Sequence, residues 1–551
     1  MRLIKLLPCA LISSLIYAGH PKVSHDLDDI DRNSTAQVIV QFVHQPGADQ
    51  HSKVTSRGGT LKRDLSFVNA GSYSIPANML DDLASDPDVA FVSPDRPVQG
   101  TLDNTTAAVN AAAAWTSNLT GAGIGVAVID SGLNDDADLP MSRIVYTQSW
   151  VNNDWHDYYG HGSHVAGIIA SAGTRSHCSS CFRNLQGIAP GVNIISLRVL
   201  DQNGAGTDSN VIAAINTAIS LKSKYNIRII NLSLGRPVFE SYTKDPLCQA
   251  VEAAWKAGIV VVVAAGNSGR DNSAANNGYG TISAPGNDPY VITVGAMKSM
   301  GTPTRTDDLI ASYSSKGPSM IDHIMKPDLV APGNQVVSLY SSSASLYSSY
   351  PKNMVAMSYF MNNAGSGPSD LYFTLSGTSM ATPVVSGAVA LLLQKTPSLT
   401  PDQVKARLMR TTYATFPASS VATEPTTGQT FLSYYDVFTV GTGYLDIAAA
   451  LANTTAFSGT AMSPVVKWTS GATATIVCSS TSICANSAVW GTSAIWRLQT
   501  IAGSSGAWGT SAVWGNSAVW GNSAVWGNSS VWGTGTAGAD TATSIAINGE
   551  R

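Results

Sequence analysis

The chain has 551 residues, a net charge of −4 and a charged fraction of only 12%. Its length allows about two to four domains, and its hydrophobic fraction of 44% suits a protein with a large core. This charge balance gives no electrostatic reason to expect nucleic acid or an anionic membrane surface as a partner, so we expect neither.

Residues 1–18 have the pattern of an export signal. Arg2 and Lys5 supply a positive start, and an apolar run over residues 6–16 follows. The run is too short to span a bilayer, and no later segment is long and apolar enough to do so. The alternative is an ordinary N-terminal helix. We expect a secreted or extracytoplasmic protein.

The cysteine spacing of an exported chain indicates local disulfides. Five cysteines would remain after the signal is removed: Cys178, Cys181, Cys248, Cys478 and Cys484. The simplest pairing joins the first two and the last two and leaves Cys248 as a buried thiol. A zinc site at the first pair with His177 is the alternative, although no second ligand pair is in view.

Residues 36–100 form a predicted small α+β unit. Residues 37–43 alternate apolar and polar side chains, as a half-buried strand does, and residues 71–77 and 88–93 follow the same pattern. A short helix is predicted between the second and third of these strands, over residues 77–85.

The sequence pattern of residues 103–452 differs from that of residues 36–100 and predicts an α/β fold. Continuous apolar runs alternate with helical patterns; the runs are residues 124–130, 193–199, 227–234, 259–265 and 290–296. Strands without polar alternation are buried on both faces, so we expect a parallel sheet sandwiched between helices. One helix is well bounded, with Asp245 as its cap, Pro246 in its first turn and Gly258 at its end.

Residues 453–551 form a Ser-, Gly- and Ala-rich tail with a six-residue repeat, clearest as "SAVWGN". Seven tryptophans share one register: Trp490, Trp496, Trp508, Trp514, Trp520, Trp526 and Trp532. In extended chain a period of six places them all on one side. The repeats would have to stack on one another, pack on a partner or stay disordered; a small stacked β structure and disorder are both compatible with the pattern.

The string "SGTSMATP" at residues 376–383 offers a nucleophile. Ser379 heads an apolar helical pattern, after Gly377 in a tight turn and with Pro383 expected in the first helical turn. A serine needs a neighbouring base to attack an acyl group. Asp130, at the end of a buried strand, and His161, at the start of "HGSHVAG", are candidates for the base and its orienting partner.

Asn267 is the candidate donor for an oxyanion. It lies in "AAGNSG", just past the carboxyl end of the apolar strand 259–265, where its amide can point into the same cleft. The backbone N–H of Ser379, at a helix start, would be the second donor. A plain turn is the alternative interpretation of the Asn-Gly-rich string.

The blocks "VIDSG", "HGSHVAG", "AAGNSG" and "SGTSMATP", in this order, resemble the signatures of the subtilisin-like serine proteases (subtilases, peptidase S8 family). The resemblance covers residues 105–452. It implies a serine endopeptidase without a cofactor, in which Ser379 attacks, His161 transfers the proton, Asp130 orients His161 and Asn267 binds the oxyanion. Calcium is possible in this family, but the usual loop is not evident, and we expect no metal site.

The resemblance also implies two peptide-binding edges that let a substrate strand pair with the backbone. The matching positions are Gly204, Ala205, Gly206, Ser233, Leu234, Gly235 and Gly266. No acidic residue is evident in these blocks, so a neutral or apolar residue before the cut is expected in preference to a basic one. Residues 36–100 resemble the family's inhibitory propeptide; a permanent accessory domain is the alternative.

Two further segments depart from the family pattern. Asp135, Asp136 and Asp138 are expected to form a solvated turn. Residues 340–370 exceed the usual length before the serine block and are expected to form a surface insertion at one rim of the cleft.

The favoured hypothesis is a monomeric, secreted serine endopeptidase that is made as a zymogen and whose partners are peptide substrates and its own propeptide. One alternative is an inactive subtilase scaffold that binds a surface or polymer through its Trp-rich tail. Another is a serine hydrolase acting on esters, against which the two peptide-binding edges argue.

Overall fold

The computed structural model describes residues 20–24, 27, 30–66, 69–94, 100–101, 104–273, 276–340, 343–424, 427–469, 473–477 and 549–550. The chain divides into two compact units, residues 1–98 and 99–551. The predicted export segment, the Cys478/Cys484 pair and the tryptophan register lie outside the described residues.

The first unit is an antiparallel sheet with two helices. Its strands are β1 (Thr35–Phe42), β2 (Thr60–Leu65), β3 (Ala70–Pro76) and β4 (Val89–Pro94), and its helices are α1 (Ala48–Thr55) and α2 (Leu80–Ala84). The strand order is β2-β3-β1-β4. The alternation in β1 buries Val38 and Val40, which form a separate core with Tyr73 of β3. The three predicted strands and the helix are present, whereas β2 and α1 carry no clear apolar pattern and were not predicted.

The second unit is built on a mixed eight-stranded sheet. Its strands are β6 (Gly125–Asp130), β7 (Ile144–Ser149), β9 (Asn193–Arg198), β10 (Ile227–Leu232), β11 (Val260–Ala264), β12 (Ile292–Lys298), β13 (Leu309–Ile310) and β14 (Leu329–Pro332). The order is β13-β12-β11-β10-β6-β9-β7, with β14 paired to β12. All pairs are parallel except β12 with β13, so the prediction of a parallel α/β sheet is correct for its central strands.

The remaining strands of the second unit lie outside the main sheet. They are β5 (Gly100–Thr101), β8 (Arg183–Asn184), β15 (Val336–Leu339), β16 (Met354–Ala356), β17 (Pro368–Leu375), β18 (Ser419–Thr423), β19 (Thr430–Tyr434), β20 (Val465–Thr469) and β21 (Thr473–Val477). They form three two-stranded pairings and the three-stranded sheet β15-β17-β16.

Two pairs of helices pack on the main sheet. The helices of the unit are α3 (Thr105–Ala108), α4 (Ala112–Trp115), α5 (His161–Ala170), α6 (Asp208–Ser220), α7 (Lys222–Tyr225), α8 (Pro246–Lys256), α9 (Ser345–Ser349), α10 (Thr378–Lys395), α11 (Pro401–Arg410), α12 (Val437–Val440) and α13 (Ile447–Ala452). Helix α5 packs against α10, and α6 packs against α8. Every residue of β6 and β11 is buried, as expected for a sheet covered on both faces.

Residues 340–370 are mostly exposed or half-buried, as expected for a segment at the surface, but a few of their side chains are buried. Strands β16 and β17 extend β15 into a small sheet, and Tyr347, Phe360 and Phe373 belong to the main hydrophobic core. Tyr347 contacts Phe373 and Phe360 contacts Tyr372, and these aromatic contacts attach the segment to the core.

In the acidic turn after β6, Asp135 is exposed as expected, but Asp136 and Asp138 are buried rather than solvated. The Asp138 side chain is fully buried and accepts hydrogen bonds from the Tyr372 hydroxyl at 2.5 Å and the Arg175 backbone N–H at 2.7 Å. Asp136 pairs with the Arg175 guanidinium at 2.9 Å. Long-range partners, which the local sequence does not reveal, bring these carboxylates inside.

The structure joins Cys178 to Cys181 in a disulfide, and Cys248 is a buried thiol. The chain beyond residue 452 continues onto the same core, where Phe457, Ala461 and Val466 pack. Among the described residues, no helix is both long and apolar enough to cross a membrane.

Candidate active site

Asp130 and His161 meet at the carboxyl edge of the main sheet. Asp130 is the last residue of β6 and His161 is the first of α5, and both side chains are buried. Oδ1 of Asp130 lies 2.7 Å from Nδ1 of His161 and also accepts the Ser131 backbone N–H at 2.7 Å. The carboxylate therefore holds one nitrogen of the imidazole in a fixed direction.

A second buried carboxylate, that of Asp157, bonds to the chain next to both members of this pair. It accepts the backbone N–H of Gly160 at 2.7 Å and of Ser163 at 2.8 Å, so it caps the start of α5. It also accepts the Ser131 hydroxyl at 2.8 Å, and that oxygen in turn accepts the Gly162 N–H at 2.9 Å. The end of β6 and the start of α5 are thus tied to one group.

The two histidines of α5 have opposite electrostatics. For His161, burial disfavours the charged ring, but the Asp130 carboxylate and its hydrogen bond outweigh burial and raise the pKa. For His164, burial and then the nearby His161 lower the pKa to about 3. Nε2 of His164 lies 3.1 Å from the carbonyl oxygens of both Val336 and Phe373, so this ring is a neutral structural donor.

Ser379 is the second residue of α10, after Gly377 at a φ of +144° that L side chains rarely adopt. Its hydroxyl donates to the Ser233 carbonyl at 3.0 Å, and the Ser233 hydroxyl donates to the Ser379 carbonyl at 2.8 Å. Pro383 is the sixth residue of the helix, not part of its first turn as expected. Because proline has no N–H for the carbonyl four residues earlier, the Ser233 hydroxyl takes that place.

Asn267 lies against the same helix start. Its Oδ1 accepts the Thr378 backbone N–H at 2.9 Å and the Thr378 hydroxyl at 3.1 Å. An ideal Cβ on Gly377 would lie 3.1 Å from Nδ2 of Asn267. The amide oxygen is therefore anchored, and its NH₂ group lies beside the turn that leads to Ser379.

The predicted groups come together as follows. Asp130 contacts His161, and Asn267 contacts the residue before Ser379. The helices that begin with His161 and with Thr378 pack against each other. In this structure the proton of the Ser379 hydroxyl is directed to Ser233 rather than to an imidazole nitrogen.

The loop after β9 carries the first predicted peptide-binding edge. Gly204 has a φ of +75°, and a Cβ there would lie 2.6 Å from the ring of Tyr159. That ring also lies beside His161, at 6.3 Å between centroids. The Asp201 backbone N–H donates to the Ala205 carbonyl, and the Asp201 carboxylate accepts the Ala205 N–H. A Cβ on Gly206 would lie 2.6 Å from the Val199 carbonyl oxygen.

The second edge follows β10. Ser233 is fully buried and Leu234 is nearly so, and Gly235 lies where a Cβ would be 3.0 Å from the Ala284 carbonyl. Gly266, at a φ of +106°, lies next to the hydroxyls of Ser283 and Ser315. The surroundings of Gly266 are thus small and uncharged.

Sequence reasoning missed the supporting roles of Asp157, Ser131 and the Ser233 hydroxyl. Asp157 stands four residues before His161, and an aspartate just before a helix start is a capping signal that could have identified it. The two serines have no comparable local signal because their partners lie on other elements.

The described residues contain no group of three His, Cys, Asp or Glu side chains placed to hold a metal ion. The buried carboxylates near the site, those of Asp136, Asp138 and Asp157, are engaged by protein donors.

Comparison with known proteins agrees with this geometry. The Subtilase family matches residues 121–436, which is more than half of the chain. The serine protease AprX of Bacillus subtilis (strain 168) is 37% identical over 387 residues, covering 67% of this chain and 80% of AprX. Subtilisin E of the same strain is 31% identical over 370 residues (66% and 81%), and the alkaline protease of Alkalihalobacillus alcalophilus is 29% identical over 384 residues (68% and 83%).

The α/β sheet, the buried Asp–His pair and the serine at a helix start fit a serine hydrolase. With these similarities, the chain belongs to the subtilase family and is a subtilisin-like serine-type endopeptidase.

Proposed function

We propose that the protein is a secreted endopeptidase that cleaves peptide bonds through Asp130, His161 and Ser379, and that it is made as a zymogen. The observation that carries the proposal is the 2.7 Å contact between two buried groups, Asp130 and His161, beside the helix that presents Ser379. A buried Asp–His pair is the arrangement that lets a histidine act as a base and then as an acid.

In the proposed reaction, the Ser379 hydroxyl turns from Ser233 toward His161 and attacks the peptide carbonyl carbon. The proton passes to Nε2, the nitrogen of His161 that does not face Asp130. Collapse of the tetrahedral intermediate breaks the C–N bond, and the amine leaves with that proton. Water then hydrolyses the ester on Ser379, again through His161, which restores the enzyme.

The oxyanion is proposed to bind to the Asn267 amide and the Ser379 backbone N–H. Anchoring of Oδ1 by Thr378 orients the NH₂ group before the reaction begins. Such preorganised donors stabilise the transition state because they need no rearrangement as charge develops. The start of α10 adds the positive end of its helix dipole.

Substrate is proposed to bind as an extended strand along the edges at residues 204–206 and 233–235. Gly266 is proposed to line the pocket for the residue before the cut. The small hydroxyls of Ser283 and Ser315 beside it support a preference for neutral or apolar residues over basic ones. Cleavage mapping on a peptide library tests this preference.

Residues 1–18 are proposed to direct export, and residues 36–100 to act as an inhibitory propeptide. The separate core and antiparallel sheet of the first unit support an independently folded segment. N-terminal sequencing of the protein from the culture medium, before and after activation, tests both statements.

A fluorophosphonate probe tests the catalytic assignment. The active protein should label on Ser379, and Ser379→Ala should not label. Labelling elsewhere, or none in a folded protein that lacks the first unit, would contradict the assignment and favour an inactive scaffold.

A further inference from the structure

Glu550 is a buried acidic residue that the proposed reaction does not use. Its side chain is only 2% exposed. Oε1 lies 2.9 Å from Nζ of Lys298, and Oε2 accepts the backbone N–H of Ser312 at 2.7 Å and its hydroxyl at 3.0 Å. Oε2 also lies 3.6 Å from Nη2 of Arg270. Both carboxylate oxygens are thus engaged by donors or cations.

The backbone around Glu550 is held just as specifically. The side chain of Asn334 accepts the Glu550 N–H at 2.7 Å and donates to the Glu550 carbonyl at 2.7 Å, as a neighbouring strand would. Gly549 has a φ of +63°, and a Cβ there would lie 2.5 Å from Oγ of Ser376 and 2.8 Å from Cγ of Gln335. The residues around positions 549 and 550 therefore fit a glycine followed by an acidic residue.

We call Arg270, Lys298, Ser312 and Asn334 the carboxylate socket. Lys298 and Arg270 are 5% and 6% exposed, and buried cations are costly unless paired. Arg270 already pairs with Glu424 at 2.8 Å. The two positive charges of Arg270 and Lys298 are balanced by the two negative charges of Glu424 and Glu550. Removal of the Glu550 carboxylate from the socket would therefore leave one buried positive charge without a counter-charge.

The socket adjoins both loops that carry the proposed catalytic groups. Arg270 follows Asn267 by three residues, and Ser376, which contacts Gly549, precedes Ser379 by three. Gly377 donates its N–H to the Gly333 carbonyl, next to Asn334. Occupation of the socket therefore bears on the positions of both loops.

The repeat-bearing stretch, residues 478–548, is attached to the second unit at both of its flanks. Before it, Val465 pairs with Ile324, the Met325 N–H donates to Pro464, and the Val466 N–H donates to His323. After it, residues 549–550 occupy the socket. The stretch leaves and returns to one unit.

We propose that Glu550 is an intramolecular ligand of a carboxylate-binding site on the catalytic unit, which fastens the far end of the repeat-bearing stretch and positions the loop that carries Asn267. Glu550 is in this sense a positioning residue. The effect on the loop rests on the proposed function of Asn267, whereas the fastening does not.

The fastening is tested by cutting the repeat-bearing stretch. A recognition site for an unrelated protease is inserted between Ser504 and Ser505 of the full chain, in a Ser379→Ala background that prevents self-cleavage. After cutting, the C-terminal fragment should co-elute with the rest of the protein in gel filtration. Glu550→Gln should release at least tenfold more fragment, and the matched change Glu252→Gln, in an exposed pair with Lys256, should not.

The effect on the loop is tested in the uncut, active protein. For Glu550→Ala we expect kcat to fall about tenfold with KM unchanged, less than the about 10²–10³-fold loss expected on removing an oxyanion donor. Acetate supplies the carboxylate and carbon that Ala lacks, so it should restore kcat with saturation. Chloride at equal ionic strength should not, and Glu252→Gln should retain the parental rate.

The outcomes separate the two proposals. Free dissociation of the fragment with Glu550 intact, or full kcat in Glu550→Ala, would overturn the assigned role of the socket. A fragment that is retained through Glu550 in a protein that never labels with fluorophosphonate would support the fastening and contradict the proposed protease chemistry.

Discussion

Ser233 and Ser379 exchange two hydrogen bonds, each hydroxyl donating to the other's backbone carbonyl, at 2.8 and 3.0 Å. The pairing links the end of β10 to the start of α10. It also satisfies a carbonyl that Pro383 cannot, so a residue of the proposed peptide-binding edge helps to hold the proposed nucleophile.

Ser233→Ala should destabilise the catalytic unit by about 1–3 kcal/mol, because the buried Ser379 carbonyl loses its donor. Pro383→Ala supplies a backbone N–H to that carbonyl, so the cost of Ser233→Ala should shrink by about 1 kcal/mol in that background. Urea unfolding in Ser379→Ala protein measures both. Ser369→Ala, which removes a buried bond from a serine hydroxyl to the Val355 carbonyl, is the control and should show no such coupling.

Asp130→Asn should move the acidic limb of the pH profile of kcat/KM to lower pH. The base must be neutral to take a proton, and the Asp130 carboxylate raises the pKa of His161 against the effect of burial. In the parent, activity is therefore lost as the pH falls through the raised pKa of His161. Without the Asp130 carboxylate this pKa is lower, so the loss occurs at lower pH. The rate at the plateau should fall about 10⁴-fold. An unmoved limb would mean that another group controls the profile.

Two substitutions of Asn267 should separate anchoring from catalysis. Asn267→Asp keeps the oxygen that accepts from Thr378 but removes the donor, and Asn267→Ala removes both. Each should lower kcat by about 10²–10³-fold with little change in KM. Only Asn267→Ala should also lower the unfolding midpoint. Equal kcat for Asn267→Asp and the parent would contradict an oxyanion role.

His164→Gln should flatten the acid dependence of stability. Burial and the nearby His161 lower the pKa of His164 to about 3 from 6.5. Between these values the unfolded state binds a proton that the folded state does not, so stability falls as pH falls, by up to about 1.4 kcal/mol per pH unit. Glutamine keeps a donor for the two carbonyls without titrating. Urea unfolding at pH 7 and 4.5 measures this, with exposed His156→Gln as the control.

The central fold was predictable because its signals are local. Continuous apolar runs such as residues 259–265 mark strands buried on both faces, and Asp245 does cap the helix that starts at Pro246. The positions of Asp130, His161 and Asn267 at strand ends and a helix start followed from the same patterns, because parallel strands bring their carboxyl ends to one edge.

The failures share a different cause. Asp138 was expected in solvent because its partner Tyr372 is 234 residues away. Residues 340–370 lie mostly at the surface as expected, but the sequence did not reveal that Tyr347 and Phe360 pack into the core against Phe373 and Tyr372. The position of Glu550 likewise depends on contacts with Lys298 and Asn334, which are more than 200 residues away in the sequence. Contacts across such sequence separations leave no trace in composition or spacing.

Asp157 accepts both a hydroxyl beside Asp130 and the backbone at the start of the His161 helix. The end of β6 and the start of α5 are thus bonded to the same carboxylate, so we expect their thermal displacements to be correlated. The imidazole and its carboxylate would then keep their spacing even when neighbouring loops are displaced.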